Sequence, residues 1–416
     1  MAARAMTAQP IPNRDAGAPA EGRAEGVFVL ALVALAGLML ASGGLGLAPV
    51  AGLGGAGALV FAVVRRRPVW INKVGGLALA ALAWVCLSFL WSPFDRPEYL
   101  MRLVIGAPLY VAFFFLADSL EGAGRRMARA GVVLCVASAA VFFAFELATA
   151  GAITGAYRAE ALDQTQVWRN LGHGLSGWLI VLPSALILLT ARDRAGAVLG
   201  LVVGVVAAAC AVGFGVTSNV VGLAAAAAAG LAAWRAPRAT LIALGGLAAV
   251  LILAAPLLGA LADAAPDNLR ALLPASWALR LEAWSYAVER ITERPFFGWG
   301  VDASRTMTDT IEFDGETHAV MPLHPHNAGL HLWLETGLVG AALIAGLVFT
   351  VARAAALAPR LTRAQAAAAA ATGAGYLAMA QVSYGVWQEW WIAALAWGAA
   401  AIALVGGVAG RPAPAT

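Results

Sequence analysis

The sequence predicts an all-α, polytopic membrane protein of about twelve transmembrane helices, ten at the fewest, with one large outer loop that contains an amphipathic helix. Three observations predict it. Of the 416 residues, 61% are hydrophobic and only 12% charged, about half the charge of a soluble domain, which carries roughly a quarter. The apolar residues run in long continuous stretches, as spanning helices require, and not in the short alternating segments of a β-barrel. The basic residues gather in alternate connections between those stretches, as topology demands. The same composition excludes a disordered chain, a coiled coil and a disulfide-stapled module. Cys86, Cys135 and Cys210 each sit inside an apolar run without metal-site spacing, and read as small buried hydrophobes.

Residues 1–25 are polar, with Arg4, Arg14 and Arg23 among Ala, Pro and Gly. They read as a disordered cytoplasmic tail, not a cleaved signal peptide. Residues 26–416 then form a single membrane domain. Stretches of about 20 apolar residues follow at roughly 26–43, 46–64, 73–92, 99–118, 130–150, 172–190, 196–215, 219–234, 240–260, 327–351, 366–386 and 391–410. With the N-terminus inside, 18 of the 27 basic residues fall on the inner side, among them Arg65, Arg66, Arg67, Lys73, Arg125, Arg126, Arg129, Arg192, Arg194, Arg235, Arg238, Arg353, Arg360, Arg363 and Arg411. Both termini are therefore expected in the cytoplasm. The other nine are Arg96, Arg102, Arg158, Arg169, Arg270, Arg280, Arg290, Arg294 and Arg305.

Five of those nine lie in the long outer loop, residues 261–326, and loops of that length are usually functional. Within it, residues 274–295 read as an amphipathic helix with Leu281, Trp284, Val288 and Ile291 at helical spacing, able to lie along a membrane surface. A shorter outer loop, about 151–171, carries Tyr157, Arg158, Trp168 and Arg169.

Four of the five histidines, His318, His324, His326 and His331, cluster at the end of the long loop and the start of the tenth stretch. An imidazole at a helix mouth titrates near neutral pH and can act as a general base, and the helix N-terminus favours an anion. Interfacial histidines also commonly do no more than hydrogen-bond the backbone. A zinc site from His324 and His326 with Asp302, Asp309, Glu312, Asp314 and Glu316 is a weaker reading, because the acids lack ligand periodicity and Pro325 separates the imidazoles. Arg280 and Trp284 share one helix face at i, i+4, Arg294 is expected to return near that face, and Arg169 directly precedes the sixth stretch. A guanidinium binds phosphate oxygens bidentately without losing its charge, and can thereby stand in for a metal on a diphosphate. Arg270, Arg290 and Arg305 are expected instead to meet lipid headgroups or pair with Glu282, Glu289 and Glu293. Arg102 lies within a span and needs a partner or a cavity, and Glu335 is expected to face the bundle interior.

These residues resemble a known family. His326-Asn327, nine residues, then Gly337-Leu-Val-Gly340 resembles the histidine-plus-glycine signature of bacterial O-antigen ligases. Arg280 with Trp284, and Arg294-Pro-Phe-Phe-Gly-Trp-Gly300, look like the remainder of the O-antigen ligase/polymerase domain, over about 200–345. One departure is Ser218-Asn219, where many members carry Ser-Arg. The resemblance implies a GT-C-like, inverting, metal-independent glycosyltransferase of the bacterial inner membrane, acting on its periplasmic face. A polysaccharide on undecaprenyl diphosphate would pass to a lipid A–core sugar, with no cofactor, and with membrane lipids but no nucleic acid as further partners. His326 would be the base and Arg280 the stabiliser of the departing diphosphate. Arg169 and Arg294 would serve as further clamps, with His324, Asn327 and Trp284 orienting base or substrate. No ATP is available outside the membrane, so an activated lipid diphosphate fits as donor.

Competing readings are a polymerase or a protein O-oligosaccharyltransferase of the same family, and a lipid-linked sugar transporter or flippase. A transporter calls for repeated halves with ionisable groups near the midplane. The chain shows no internal repeat, and its polar residues favour one face.

Overall fold

The computed structural model describes residues 22–65, 73–157, 163–264, 266, 268, 273–313 and 315–406. The expected tail up to residue 21 lies outside these, as do Arg66, Arg67, Arg158, Arg270, Asp314 and Arg411.

The chain is an all-α bundle of a polytopic membrane protein. Helices α1 (Arg23–Ala41) and α2 (Leu47–Val64) form a hairpin, turned by Gly43 and Gly44 at φ 86° and 79°. Helix α1 begins inside the expected tail, where Glu25 is buried against Arg65. Then come α3 (Lys73–Ser88), α4 (Pro97–Ser119), α5 (Gly122–Ala148), the short α6 (Ala152–Tyr157) and α7 (Gln164–Thr190). Proline opens α4, where its missing N–H costs nothing, and Asp163 caps α7 by accepting from Gln166 N–H at 2.7 Å. Helices α8 (Arg194–Gly213), α9 (Thr217–Arg235) and α10 (Pro237–Leu253) lead to α11 (Ala255–Asp263), bent 65° from α10. The outer loop holds α12 (Ala275–Glu293) and a hairpin of β1 (Thr310–Phe313) with β2 (Glu316–Ala319), paired from Thr310↔Ala319 to Phe313↔Glu316. Helices α13 (Ala328–Ala356), α14 (Arg363–Val382) and α15 (Glu389–Val405) close the bundle.

Among the described residues nine helices are long and apolar enough to cross a membrane, or ten if α10 and α11 form one broken span. The other two expected stretches are helical as well. Helix α14 is 20 residues long but its apolar run is interrupted by Gln365, Thr372, Tyr376 and Gln381, and α15 is apolar but has only 17 residues.

Helix α7 is central, with 72% of its span buried, against 17–39% for the other nine-helix members. Its Trp178, Leu175 and Ile180 pack with Phe143 of α5 and Trp391 of α15, and Trp178 Nε1–H donates to Val136 O at 3.2 Å. Helices α1 and α5 come close because both carry glycine at the crossing; a Cβ on Gly26 would fall on the Gly124 backbone. At the other end from the site, Arg125 and Arg129 donate to carbonyls of Ala403, Leu404 and Gly406 at the C-terminus of α15. Positive charge there offsets the helix dipole.

Helix α12 forms where periodicity placed it, but its apolar face does not lie on a membrane surface. Ala287 and Ile291 are buried against Ala255 of α11 and Leu330 and Leu334 of α13, with Trp284 and Val288 alongside. Burying that stripe on protein keeps about 25 cal/mol per Å² of apolar area and anchors the loop to the start of α13.

Candidate active site

Helix α13 begins at a corner where His324, His326 and His331 meet, and hydrogen bonds to the backbone hold it. Asn327 is its N-cap, accepting from Leu330 N–H at 3.0 Å, so the carboxamide expected to orient a substrate is engaged with the helix. His326 just before it has φ 54°, in the left-handed region that non-glycine residues seldom adopt. Three hydrogen bonds hold the corner. Trp284 Nε1–H donates to Pro325 O at 2.8 Å, His326 N–H to His324 Nδ1 at 3.2 Å, and His326 Nδ1–H to Ser383 O at 2.7 Å.

The last bond decides the tautomer. A carbonyl only accepts, so Nδ1 carries the proton and Nε2 keeps the lone pair. Burial lowers the pKa of His326 below its ordinary 6.5; the Ser383 carbonyl opposes this, while Arg280 and His331 add to it. His324 is lowered further, by burial first and then by His331, His326 and Arg305. His326 is therefore a neutral imidazole with one free basic nitrogen.

Rings of His324 and His326 are 4.5 Å apart, and His324 stacks on His331 at 5.5 Å. His318 does not join them. It sits on β2 beside Phe313, 3.8 Å from Glu316. Among the described residues no group of His, Cys, Asp and Glu is arranged to hold a metal ion.

Beneath the imidazoles lies Glu335, wholly buried. Its carboxylate accepts from Asp302 N–H at 2.6 Å, Ser304 N–H at 3.0 Å, Ser304 Oγ–H at 2.6 Å and Trp387 Nε1–H at 2.6 Å, with His331 Nε2 at 3.1 Å. A buried charge survives only when so satisfied. The sequence expectation that Glu335 faces inward is met, and its partners come from three separate segments.

Two residues deeper, Gly337 breaks α13 with φ 63° and ψ −167°, a conformation open essentially to glycine alone. The break frees backbone groups that lipid cannot satisfy. The 294–300 segment satisfies them: Trp299 and Gly300 N–H donate to Leu334 O and Glu335 O at 2.9 and 2.8 Å, and Leu338 and Val339 N–H donate to Pro295 O and Phe296 O at 2.9 and 3.3 Å. Trp84 Nε1–H donates to Thr336 O at 3.0 Å. The two glycine-bearing motifs of the sequence are thus one structural unit.

Arg280 stands on α12 beside the corner, half-buried and stacked 5.2 Å from Trp277, with Tyr384 and His326 within electrostatic reach. Among the described residues it faces no carboxylate. Arg169, exposed at the start of α7, is likewise unpaired there. One turn on, His173 packs against Tyr384 and Trp390 at 5.6 and 5.7 Å. Below them Ser176 Oγ lies 2.5 Å from Asn219 Oδ1 and 2.6 Å from Tyr384 Oη, and Asn219 Nδ2–H donates to Gly172 O at 2.9 Å. The position at which the resemblance expects arginine is therefore a neutral, hydrogen-bonded floor under the site.

Arg294 follows the far end of α12, about 21 Å along the axis from Arg280, and stacks 4.0 Å from Trp299. Arg290 pairs with Glu289 and Glu293 as expected, but Arg305 pairs with Asp302 at 2.7 Å. Arg102 finds its partner in Glu389 at 3.5 Å. Sequence reasoning missed His173, Ser383, Tyr384 and Trp387. The signal was present in the polar and aromatic run from Ser383 to Glu389, which interrupts two Ala-rich helices.

Residues 178–345 of the chain match the family described as O-antigen ligase. Proteins named "Putative polysaccharide ligase" from Rickettsia conorii and Rickettsia bellii are 31% and 33% identical to it over 126 residues. Another so named, from Rickettsia felis, is 30% identical over 130. Each match covers 29% of this chain and 30% of the relative, so the chain matches less than a third of their length. No solved structure matches.

Proposed function

From the premise that residues 178–345 match the O-antigen ligase family, we propose that the chain is a glycosyltransferase of the bacterial inner membrane that moves a polysaccharide from undecaprenyl diphosphate to a lipid A–core sugar on the periplasmic face. One observation carries this reading. His326 Nε2 is left basic by the Nδ1–H bond to Ser383 O, beside an Arg280 that no described carboxylate neutralises.

The acceptor hydroxyl attacks the anomeric carbon as Nε2 takes its proton; the bond from that carbon to the phosphate oxygen breaks on the opposite side, and the electron pair leaves with the diphosphate. The configuration inverts. Ser383 O then faces an imidazolium, whose charge it stabilises. Arg280 meets the charge growing on the leaving diphosphate, the kind of contact worth about 10²–10³ in rate. Arg169, on the same end of the bundle, is the second clamp. Trp284 and His324 act on His326 by holding its corner, and Arg294 by its place at the bandaged helix break.

A deletion strain tests the reading. Lipopolysaccharide without its ladder, with long lipid-linked chains accumulating, is the expected result. A single repeat unit on the core marks a polymerase instead, and an unchanged ladder contradicts the proposal.

A further inference from the structure

Linked to Glu335 through Asp302 lies a second constellation that the reaction above does not use. Phe94 and Tyr99 meet edge to face at 5.5 Å, in the connection from α3 and the first turn of α4. Two guanidinium groups lie over the Tyr99 ring, Arg305 at 5.1 Å and Arg102 at 5.2 Å, and Arg305 is also 5.9 Å from Phe94. Each arginine has its own carboxylate: Arg305 with Asp302 at 2.7 Å, Arg102 with Glu389 at 3.5 Å.

Three features say what such a surface takes. First, two arginines and two carboxylates leave no net charge, so it has little to offer an anionic headgroup or a diphosphate; those suit Arg280 and Arg169. A neutral array of planar donors and acceptors around aromatic rings suits a neutral polyol, which needs many hydrogen bonds and an apolar face to stack on. Second, it is open: the Arg102 side chain is 56% exposed and Glu389 30%. Third, it is built into the active site. Asp302 is held at φ 59°, a strained backbone for a non-glycine residue, by its N–H bond to Glu335, the carboxylate that also holds His331 and Trp387. Arg305 reaches the imidazoles through Asp302 and Glu335, whereas Arg280 stands on α12 with Trp284, whose indole holds the Pro325 carbonyl.

The donor's diphosphate is matched by Arg280, and the carboxylate-paired arginines are left for the uncharged reactant, the acceptor sugar. We propose that Phe94, Tyr99, Arg102, Arg305 and Glu389 form the subsite that binds the acceptor glycan, a neutral sugar segment stacked on Tyr99 and hydrogen-bonded by the two arginine–carboxylate pairs. This rests on the glycosyltransferase reading of the same site.

The test uses the purified full chain in nanodiscs with two readouts. One is transfer from lipid-linked polysaccharide to rough lipopolysaccharide, with the KM of each substrate. The other is saturation-transfer NMR with the delipidated core oligosaccharide, which needs no turnover. Tyr99→Ala and Arg102→Ala raise the acceptor KM about tenfold, leave the donor KM within about twofold, and abolish the NMR signal; Tyr99→Phe, which keeps the ring, behaves as wild type. The proposal is overturned if the acceptor KM and the NMR signal are unchanged in Tyr99→Ala, if the donor KM moves instead, or if the wild type gives no signal. Oligosaccharide binding with no transfer by the wild type contradicts the glycosyltransferase reading while the subsite stands. Since Arg102 is exposed on a helix end, its variant keeps the subsite testable should Tyr99→Ala fold poorly.

Discussion

His326 is the residue on which the proposed chemistry converges. Burial holds its pKa below 6.5, so the acidic limb of the kcat/KM profile is expected below pH 6.5, and a limb above that value contradicts the neutral-base assignment. The sign for stability is the same. Below pH 6.5 the unfolded chain binds protons that His324 and His326 resist in the folded state, so stability is full above that pH and falls as pH drops through it. Thermal unfolding of detergent-extracted protein between pH 5 and pH 7 reads this directly. Arg280→Lys keeps a charge but loses the planar fork; its kcat is expected to fall about tenfold or more, and Arg280→Ala about 10²–10³-fold. At this scale the sequence was a partial guide. His326, Arg280 and Trp284 were legible because a short motif spells them. Ser383 and Tyr384 were not, because they reach the corner only through the packing of α14 against α7 and α9. The stacking of Arg294 on Trp299 was not legible either, because a helix periodicity cannot say how the chain turns after its end.

At the scale of elements, the broken helix α13 explains more than its sequence did. The sequence read residues 327–351 as one continuous spanning stretch; here Gly337 opens the helix and the 294–300 segment closes its orphaned hydrogen bonds. Gly337→Ala puts a Cβ against the Phe296 backbone in a conformation that costs a residue with a side chain about 1–3 kcal/mol. A lower unfolding temperature is expected, and an unchanged one contradicts the role. Glu335→Ala leaves the N–H groups of Asp302, Ser304 and Trp387 buried without an acceptor, each about 1–3 kcal/mol. That variant is expected to be the least stable of those named, as judged by unfolding temperature and by yield of monodisperse protein. Trp284→Phe deletes one hydrogen bond to Pro325 while keeping an aromatic ring on α12, and is expected to lower kcat with little change in unfolding temperature. The expected helix over 274–295 formed within a residue or two of its bounds; its partner did not follow from periodicity, which marks an apolar stripe without saying whether protein or lipid covers it.

For the molecule as a whole, composition and the distribution of basic residues were enough for an all-α membrane bundle, since 12% charge leaves no other way to cover so much apolar surface. The number of crossings was less legible. Helix α14 is weakly marked because Gln365, Thr372, Tyr376 and Gln381 interrupt its alanines, and α15, though apolar, is only 17 residues long. The orientation proposed from the basic residues places the β1–β2 hairpin outside and the connection between α13 and α14 inside. A cysteine at Gly315 is then labelled in intact cells by an impermeant maleimide and one at Arg360 is not; the reverse pattern inverts the topology. The account as a whole stands on a neutral imidazole that takes a proton from a sugar hydroxyl. Its most direct test is reconstituted transfer from undecaprenyl-diphosphate polysaccharide to lipid A–core, comparing wild type with His326→Ala at equal amounts of folded protein. Product from the wild type alone, with inverted anomeric configuration, is expected; product from His326→Ala at the wild-type rate overturns the assignment of His326 as the base.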